Sequence, residues 1–522
     1  MFKPAGRIKP RRLKMTARWD IIPVGKGTGL LYLKDLIKST VVYKIAGNKM
    51  VDIKGIAYDS RCVEPGDLFV AVEGYKTDGH YYVSQAVEAG AAAIMVQQEV
   101  EVPPGVTRVL TDNTRTGLAQ VSAEFYGNPC RQMRMVGVTG TNGKTTTTNL
   151  IATIYRSAGQ KIGLIGTIAN YIGDRKLNVS HTTPESTDLQ KLLRDMVEEG
   201  VDLGVIEVSS HALSLERVMG CEYDVAVFTN LTQDHLDFHQ DMEEYFEAKA
   251  KLFRCIGAGV KKGPKYVVVN GDDPNAKRIV SEVRVPVITY GLSENADIRA
   301  VDIQVTGNGC SFAAQSKIYG PVYLNMKITG LFNVYNTLAA YSVGVAGGLS
   351  PREVKEALET VKGVPGRFEL VNRGQDFTVV VDYAHTPDGL ENILKAAKDI
   401  TGGRLITVFG CGGDRDRTKR PIMGEIAGRY SDMPIITSDN PRSEDPLRII
   451  EDVEEGLKRV KGPGKYRVIP DRREAIRAAV AGARAGDMVV IAGKGHEGYQ
   501  IVGAQKNHFD DREEVGKALE AL

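Results

Sequence analysis

The sequence predicts an α/β protein of three domains that are built around parallel sheets. Short apolar runs alternate with segments whose apolar residues recur at the helical period, which is the pattern of repeated βα units. The chain of 522 residues is too long for one hydrophobic core of ordinary size. Its composition, 42% hydrophobic and 25% charged, is that of an ordinary soluble globular protein.

Turn-like segments mark the expected domain boundaries. Gly127-Asn128-Pro129 ends the first set of runs, and Val364-Pro365-Gly366 precedes the last set. We therefore expect an N-terminal domain over 31–131, a central domain over 132–365 and a C-terminal domain over 366–522.

The first 30 residues are basic but lack the apolar segment and cleavage site of a secretory signal. We expect residues 1–30 to be a disordered extension. A true start at Met15 and an anion-binding arm are the two alternatives.

Charge and cysteine content limit the classes of partner. Lys and Arg (67) nearly balance Asp and Glu (65), so there is no global positive field of the kind that drives nucleic-acid binding. No stretch approaches the roughly 18 to 20 apolar residues of a membrane span. The six cysteines are scattered without a CxxC pair, as free thiols in a reducing compartment would be. We expect a cytoplasmic protein with no nucleic-acid partner and no membrane span.

The central domain begins with a strand and a helix. Residues 133–138 (MRMVGV) predict a strand, and Thr146 to Ser157 predict a helix with Leu150, Ile151 and Ile154 on one face. Three later apolar runs predict further parallel strands: 203–208 (LGVIEV), 225–229 (VAVFT) and 266–270 (YVVVN).

The C-terminal domain has four apolar runs that each end in a cluster of Gly, Asp or Asn. In open parallel sheets, ligands bind at the carboxyl ends of the strands, so these clusters predict a binding site on a Rossmann-like sheet. The runs are FTVVVDYAH, LITVFGCGG, MPIITSDNPR and DMVVIAGKGHE.

A glycine-rich loop, Gly140-Thr141-Asn142-Gly143-Lys144-Thr145, joins the first central strand to its helix. Glycines let backbone N–H groups close round phosphates, the helix N-terminus adds partial positive charge, and the lysine reaches the terminal phosphate. Thr145 is then placed to bind magnesium. The strict spacing G-x-x-x-x-G-K-[ST] is not met, because Val138 stands where its first glycine belongs. A kinase or GTPase stays an alternative on the loop alone.

The variant GVTGTNGKTTT resembles the Mur ligase family, and the resemblance runs from about Leu31 to the C-terminus. It implies an ATP-dependent ligase that joins a carboxylate to an amine in the cytoplasmic synthesis of peptidoglycan. It also implies a three-domain fold: a smaller N-terminal α/β domain that binds UDP, a central P-loop sheet, and a C-terminal domain that binds the amino acid.

The resemblance also implies the ATP and metal ligands. Two Mg²⁺ ions would be held by Thr145, Glu207, His235 and Lys249, the last carbamylated by CO2. Lys144, Glu207, His235 and Lys249 would be the catalytic residues. On the residues alone, a strand-end histidine and a helix lysine are usually structural or solvated. The implied ATP contacts are Gly140, Thr141, Asn142, Gly143, Lys144, Thr145, Thr146, Asn333, Asn336, Arg367 and Asp382.

Further matching residues imply that the carboxylate substrate is UDP-MurNAc-L-Ala-D-Glu. Ser60, in the block that begins Asp59-Ser60-Arg61, would contact the uridine nucleotide. Hydroxyl groups and an arginine suit a muramyl dipeptide that bears free carboxylates. These dipeptide contacts would be Thr182, Thr183, Ser209 and Arg217.

The segment Asp439-Asn440-Pro441-Arg442 matches the family's signature for meso-diaminopimelate, and lysine-adding members replace this arginine. Diaminopimelate carries a second carboxylate that lysine lacks, and a guanidinium can grip a carboxylate with two parallel hydrogen bonds. Glu497 would pair with an ammonium group. The other implied contacts are Arg415 and Gly493.

Several rival functions stay open at this point. On the same scaffold they are a lysine-adding form, a D-Ala-D-Ala-adding ligase and a folylpolyglutamate synthetase; Arg442 and the N-terminal block argue against each. A catalytically silent assembly subunit would lose Lys144, Glu207, His235 or Lys249, and all four are present. We expect a monomer whose domains close on small-molecule substrates.

Overall fold

The computed structural model describes residues 31–74, 77–179, 181–236 and 238–522. The expected extension over residues 1–30 lies outside this range. The described residues form three sheets and one separate hairpin. The sheets follow one another along the chain in the order expected of the three domains.

In the described part of the N-terminal domain, the sheet has five strands in the order β1-β5-β4-β3-β2. Only β1 runs antiparallel to its neighbour. Helices α1 and α3 pack on one face, and α2 packs on the other. The elements are α1 Leu33–Leu36, β1 Val42–Ala46, β2 Ile56–Ala57, β3 Leu68–Val70, α2 Val83–Glu88, β4 Ala93–Val96, β5 Thr107–Thr111 and α3 Thr114–Phe125.

The central sheet begins with the strand and helix that flank the glycine-rich loop. Helix α4 starts at Lys144, directly after its N-cap residue Gly143 and two residues before the expected Thr146. The elements are β6 Arg134–Thr139, α4 Lys144–Ser157, β7 Ile162–Ile165, β8 Asn170–Ile172, β9 Arg175–Leu177, α5 Ser186–Glu198, β10 Leu203–Glu207, α6 Ser210–Ser214, β11 Val225–Phe228, α7 Met242–Cys255, β12 Tyr266–Asn270, α8 Ala276–Glu282, β13 Val287–Gly291, β14 Ile298–Thr306, β15 Gly309–Ser316, β16 Val322–Met326, α9 Leu331–Ala346 and α10 Pro351–Leu358.

Among the described residues the central sheet has eleven strands, in the order β16-β15-β14-β13-β12-β11-β6-β10-β7-β8-β9. The strands from β14 to β7 are parallel, which confirms the expected parallel sheet. Antiparallel strands that the sequence did not predict extend it at both ends. Because β10, β6 and β11 are neighbours, their carboxyl ends meet at one edge, beside the loop that follows β6.

The C-terminal sheet has six strands in the order β17-β18-β22-β19-β20-β21. The strands from β18 to β21 are parallel and confirm the four predicted runs. Helices α11 to α13 cover one face, and α14 and α15 cover the other. The elements are β17 Glu369–Leu370, β18 Thr378–Asp382, α11 Pro387–Ile400, β19 Leu405–Phe409, α12 Lys419–Tyr430, β20 Met433–Ile436, α13 Pro446–Lys458, β21 Arg467–Val468, α14 Arg472–Ala481, β22 Met488–Ala492, β23 Tyr499–Val502, β24 Gln505–His508 and α15 Asp511–Glu520.

No helix in the described part of the chain is long and apolar enough to cross a bilayer. The six cysteines, all of which are described, are free thiols.

Candidate active site

The glycine-rich loop is shaped by close contacts that only glycine allows. Gly140 and Gly143 have φ angles of 151° and 85°. A Cβ on Gly140 would lie 1.8 Å from Thr229 Oγ1, and one on Gly143 would lie 2.3 Å from Asn336 Oδ1. The loop therefore packs directly against the end of β11 and the start of α9. Lys144 folds back over it and donates to the carbonyls of Gly140 and Thr141, both at 2.8 Å.

Glu207 ends β10 beside this loop and is almost fully buried, with 1% of its surface exposed. Its carboxylate accepts hydrogen bonds from Thr145 Oγ1 (2.9 Å), from the Thr167 backbone N–H (2.9 Å) and from Thr167 Oγ1 (3.1 Å). A buried carboxylate that is fixed in this way, next to a threonine hydroxyl, offers the oxygen ligands that Mg²⁺ prefers.

His235 follows β11 and lies in the same cavity as Glu207. The pKa of His235 is lowered to about 3, mainly by burial and in addition by the nearby His211, Lys144 and Lys249, against the opposing effect of Asp234. The imidazole is therefore neutral at physiological pH, which is the form that can bind a metal ion. Its Nε2 lies 3.3 Å from a carboxylate oxygen of Asp234.

Lys249 is buried in α7, with 1% of its surface exposed, and is not the solvated lysine that its sequence context suggests. Its Nζ donates to the carbonyl of Gly140 at 2.9 Å, the same oxygen that Lys144 contacts, and lies 4.4 Å from the centroid of the Tyr245 ring. Burial holds the pKa of Lys249 well below its usual value, and the charge of Lys144 lowers it further. A neutral amine is the form of lysine that reacts with CO2.

The donor set fits a divalent cation that also binds phosphate oxygens. Glu207 and His235 supply a carboxylate and a neutral imidazole, and Thr145 supplies a hydroxyl group. Within the described ranges no three His, Cys, Asp or Glu side chains form a metal-binding group. A metal ion here would therefore complete its ligand shell with groups other than these side chains.

The expected purine and ribose contacts come from α9 and from the C-terminal domain. Asn336 lines the cavity, whereas Asn333 is buried behind it, accepts from Asn336 Nδ2 (3.0 Å) and donates to the Thr329 carbonyl (2.8 Å). Arg367 reaches across the domains and donates to Thr145 Oγ1 at 3.2 Å. Asp382 accepts from the backbone N–H groups of residues 368 and 384, at 2.6 Å and 2.8 Å.

Asp388, which the sequence did not single out, joins the C-terminal domain to the phosphate loop. One of its carboxylate oxygens accepts from Asn142 Nδ2 (2.7 Å) and from Thr232 Oγ1 (2.8 Å). Asp388 lies in the first turn of α11, two residues after the N-cap Thr386. The contact joins the two domains beside the phosphate loop, although no local pattern marks this aspartate.

The four expected dipeptide residues line the same cavity of about 970 Å³ as the phosphate loop. Thr183 Oγ1 donates to the Glu207 carbonyl at 2.7 Å, and Arg217 donates to the Thr183 carbonyl at 3.2 Å. Thr182 and Ser209 complete this wall. Ser60 lies elsewhere, in the N-terminal domain, where it donates to Gln85 Oε1 at 2.9 Å.

The expected amino-acid residues surround a second cavity of about 730 Å³. Arg442 NH1 donates to the Gly413 carbonyl at 2.7 Å, and Asn440 Nδ2 donates to Glu497 Oε2 at 3.0 Å. Arg415 is exposed on the rim and donates to the carbonyl of Asp414. Of the expected set, Arg415, Asp439, Asn440, Arg442, Gly493 and Glu497 line this cavity, and Pro441 does not.

Opposite charges face each other in this second cavity. Burial raises the pKa of Glu497, and the neighbouring Asp439 raises it further. Burial also raises the pKa of Asp439, but Lys494 and Arg472 more than offset this effect and hold it below its usual value. Two carboxylates and the guanidinium of Arg442 thus line the same cavity, which suits a ligand that ends in both an ammonium and a carboxylate group.

The two cavities meet. Both are lined by Asp234, His235, Tyr383, His385 and Thr386, so the phosphate loop and the pocket of Arg442 and Glu497 open into one another. His235 and Arg442 adopt left-handed backbone conformations, with φ of 55° and 51°. Such conformations cost about 1 to 3 kcal/mol in non-glycine residues and occur most often at functional sites.

Three family models match the chain. The one described as "Mur ligase family, catalytic domain" matches 52–126, "Mur ligase middle domain" matches 138–344, and "Mur ligase, glutamate ligase domain" matches 366–495. A protein from Syntrophomonas wolfei is 48% identical over 93% of this chain and 99% of its own length. The chain belongs to the Mur ligase family.

The names of two related Mur ligases state the substrates of those proteins. The Syntrophomonas protein is named "UDP-N-acetylmuramoyl-L-alanyl-D-glutamate--2,6-diaminopimelate ligase". A protein of the same name from Geobacillus thermodenitrificans is 50% identical over 88% of this chain and 94% of its own length.

Solved structures of Mur ligases confirm the fold class. A structure of a UDP-N-acetylmuramoyl-L-alanyl-D-glutamate--2,6-diaminopimelate ligase is 34% identical and has a TM-score of 0.68, over 94% of this chain and 99% of that chain. MurF ligase from Thermotoga maritima, in complex with ADP, is 19% identical with a TM-score of 0.60, over 90% and 97% of the two chains. The second likeness shows the fold alone.

Proposed function

We propose that this Mur ligase adds meso-diaminopimelate to the γ-carboxylate of D-Glu in UDP-MurNAc-L-Ala-D-Glu, with ATP converted to ADP and phosphate. One observation carries the proposal: the phosphate-loop cavity opens, beside His235, into a pocket that holds Arg442 and Glu497. This geometry supports a reaction in which an activated carboxylate lies next to an amino acid whose far end carries both an ammonium and a carboxylate group. The names of the most similar relatives support the same substrates.

Nucleotide and metal binding follow from the walls of the first cavity. Lys144, the loop amides and the N-terminus of α4 would bind the phosphates, and Asn336, Arg367 and Asp382 would contact the rest of ATP. Two Mg²⁺ ions would be held by Thr145, Glu207, His235 and carbamylated Lys249. When bound, they would offset the negative charge that gathers between ATP and the carboxylate.

The proposed reaction proceeds through an acyl phosphate. The γ-phosphoryl group moves to the D-Glu carboxylate, which Thr182, Thr183, Ser209 and Arg217 hold at the edge of the loop. The free amine of diaminopimelate then attacks the acyl carbon, and the tetrahedral intermediate collapses to the amide and phosphate. Lys144 stabilises the charge on the transferred phosphoryl group, and the rest of the protein contributes position.

Three further statements belong to the proposal. The enzyme works in the cytoplasm as a monomer. The UDP group binds the N-terminal domain near Ser60. The domain boundaries lie near residues 131 and 365, between the three family matches.

Phosphate release by the purified enzyme tests the proposed function. With ATP, Mg²⁺ and UDP-MurNAc-L-Ala-D-Glu present, meso-diaminopimelate should stimulate release far more than L-lysine, because only diaminopimelate pairs with Arg442. Release that is independent of both amines, or equal with both, would overturn the proposed acceptor.

The proposed pairing of Glu497 with an ammonium group predicts that the pH profile of kcat/KM for diaminopimelate has an acid limb, a decrease toward low pH. Protonated Glu497 is neutral and cannot pair with the ammonium, so kcat/KM for diaminopimelate should fall as pH drops through the raised pKa of Glu497. Glu497→Gln should lower kcat/KM about 10- to 100-fold at neutral pH and remove that limb. The KM for ATP, measured over the same pH range, is the control and should not show the limb.

A further inference from the structure

Lys494 lies behind the amino-acid pocket and takes no part in the steps of the proposed reaction. Its side chain is fully buried, with 0% exposed. The ammonium donates to Asn440 Oδ1 at 2.8 Å and to the carbonyl of Tyr499 at 2.9 Å. Carboxylate oxygens of Asp439 and Glu497 lie 3.8 Å and 4.0 Å away. Burying an ammonium costs free energy unless hydrogen bonds or opposite charges compensate for the lost hydration. The four surrounding oxygen-bearing groups provide this compensation.

Asn440 transmits the position of Lys494 to Glu497. The Oδ1 atom of Asn440 accepts from Lys494 and from the backbone N–H of Ile501, the latter at 3.0 Å. The amide therefore turns its nitrogen toward Glu497, to which it donates at 3.0 Å. A side-chain amide has one oxygen that accepts hydrogen bonds and one nitrogen that donates them. Because the ammonium of Lys494 donates to the oxygen of Asn440, it favours the orientation in which the nitrogen of Asn440 faces Glu497.

The hairpin of β23 and β24 connects Lys494 with Arg442. Lys494 contacts the carbonyl of Tyr499, the first residue of β23. Further along the hairpin, the carbonyl of Ile501 accepts from the backbone N–H of Arg442 at 3.1 Å, and the N–H of Gly503 donates to the Arg442 carbonyl at 2.8 Å. These bonds support the left-handed backbone of Arg442. Lys494 thus contacts both the hairpin that bonds to the backbone of Arg442 and the side chain of Asn440, which orients the glutamate.

We propose that Lys494 is a positioning residue for the amino-acid acceptor, which holds Glu497 and the Arg442 segment at the spacing that fits a ligand end bearing one ammonium and one carboxylate. The inference rests on the proposed function and deepens it. A lysine that served only to neutralise buried carboxylates would affect the stability of the domain and would leave acceptor selection unchanged. The two roles therefore differ in a measurable way.

Steady-state kinetics of full-length Lys494→Met test the proposal. Methionine keeps the length of the side chain and removes the charge and the donors. We expect the KM for meso-diaminopimelate to rise about 10- to 100-fold, while the KM for ATP and for UDP-MurNAc-L-Ala-D-Glu changes less than about 3-fold. The preference for diaminopimelate over lysine should fall by at least about 10-fold. Lys465→Met is the matched control, because Lys465 is an exposed lysine of the same domain that lies just before β21, outside the lining of the cavity.

The pH profile tests whether the charge of Lys494 acts on Glu497. Removing the positive charge of Lys494 should shift the acid limb of kcat/KM for diaminopimelate upward by about one pH unit, because one of the charges that keep Glu497 ionised is lost. A Lys494 whose charge does not reach Glu497 would leave that limb in place; the KM values and the preference for diaminopimelate over lysine separate positioning from neutralisation. The charged and titratable groups that interact with Glu497 are Asp439, Lys494, Arg442, Arg472, Tyr383 and Tyr499.

Two results would overturn the positioning role: an unchanged KM for diaminopimelate in Lys494→Met, or an equal rise in the KM of all three substrates. If Lys494→Met does not fold, Lys494→Gln, which keeps one donor and loses the charge, carries the same test and the same expected shifts. A wild-type enzyme that used lysine as well as diaminopimelate would instead refute the proposed function, and the two failures are thereby distinguished.

Discussion

Lys249→Gln should lower the rate of phosphate release about 100- to 1000-fold, since losing the proposed metal ligand removes preorganised charge stabilisation, which contributes on that scale. Glutamine keeps a donor for the carbonyl of Gly140, which Lys249 contacts at 2.9 Å, but it cannot react with CO2. The variant should therefore lose the proposed metal ligand without losing the local packing. Initial rates of phosphate release at saturating substrates measure the effect.

The stability of this variant gives a second expectation. Lys249 is buried with its pKa held well below the usual value, so in CO2-free buffer the substitution exchanges one buried donor to the Gly140 carbonyl for another. The Tm of Lys249→Gln, measured in that buffer, should therefore stay close to that of the wild type. Carbon-13 NMR with labelled bicarbonate should show a carbamate signal in the wild type and none in the variant.

Lys251→Gln is the matched control for this prediction. Lys251 lies two residues further along α7 and pairs with Glu216 at the surface, with 41% of its side chain exposed. Its replacement should leave the rate within about 2-fold of the wild type, as is usual for an exposed ion pair. Activity of Lys249→Gln near the wild-type level would refute the metal-ligand role.

The sequence predicted those parts of the fold that depend on local periodicity. The run at 266–270 matches β12 residue for residue, and the run at 203–208 differs from β10 by one residue. Buried parallel strands are continuous apolar runs, so composition alone reveals them. Strands β14 and β15 were not among the predicted runs, because their residues mostly alternate between buried and more exposed positions and so form no continuous apolar run.

The site was predictable where a residue type and its spacing carry the chemistry. Lys144 follows from the loop itself, and the structure places it there. Lys249 is different, since its burial comes from the packing of α7 beneath the loop and its sequence context suggests a surface residue. Only the family resemblance singled it out.

Asp388 and Lys494 show the limit of reasoning from sequence. Asp388 meets Asn142, which is 246 residues away along the chain, and Lys494 meets Asn440, which is 54 residues away. Neither contact follows from a turn, a cap or a periodicity. Both depend on how strand ends and domains come together, and this is where a structure adds information to a motif.

Arg442→Lys should lower kcat/KM for meso-diaminopimelate about 100- to 1000-fold, which corresponds to the loss of a bidentate, charge-assisted pair. Lysine keeps the positive charge but cannot present two parallel N–H groups to a carboxylate. Arg442 also keeps its place through backbone bonds to the hairpin, which the substitution leaves intact. The backbone of the 439–442 segment should therefore stay in position, while the side chain at position 442 binds the acceptor carboxylate more weakly.

The controls for this prediction separate acceptor recognition from every earlier step. The KM for ATP should change less than about 3-fold, because the phosphate loop lies in the other cavity. Arg448→Lys, an exposed arginine in α13, should leave all three KM values unchanged. The ratio of diaminopimelate to lysine use should drop in Arg442→Lys, because the loss falls on the amine that carries the second carboxylate. A variant that lost ATP affinity and kept this ratio would show that Arg442 serves the nucleotide, and the assignment of the second cavity to the amino acid would then be wrong.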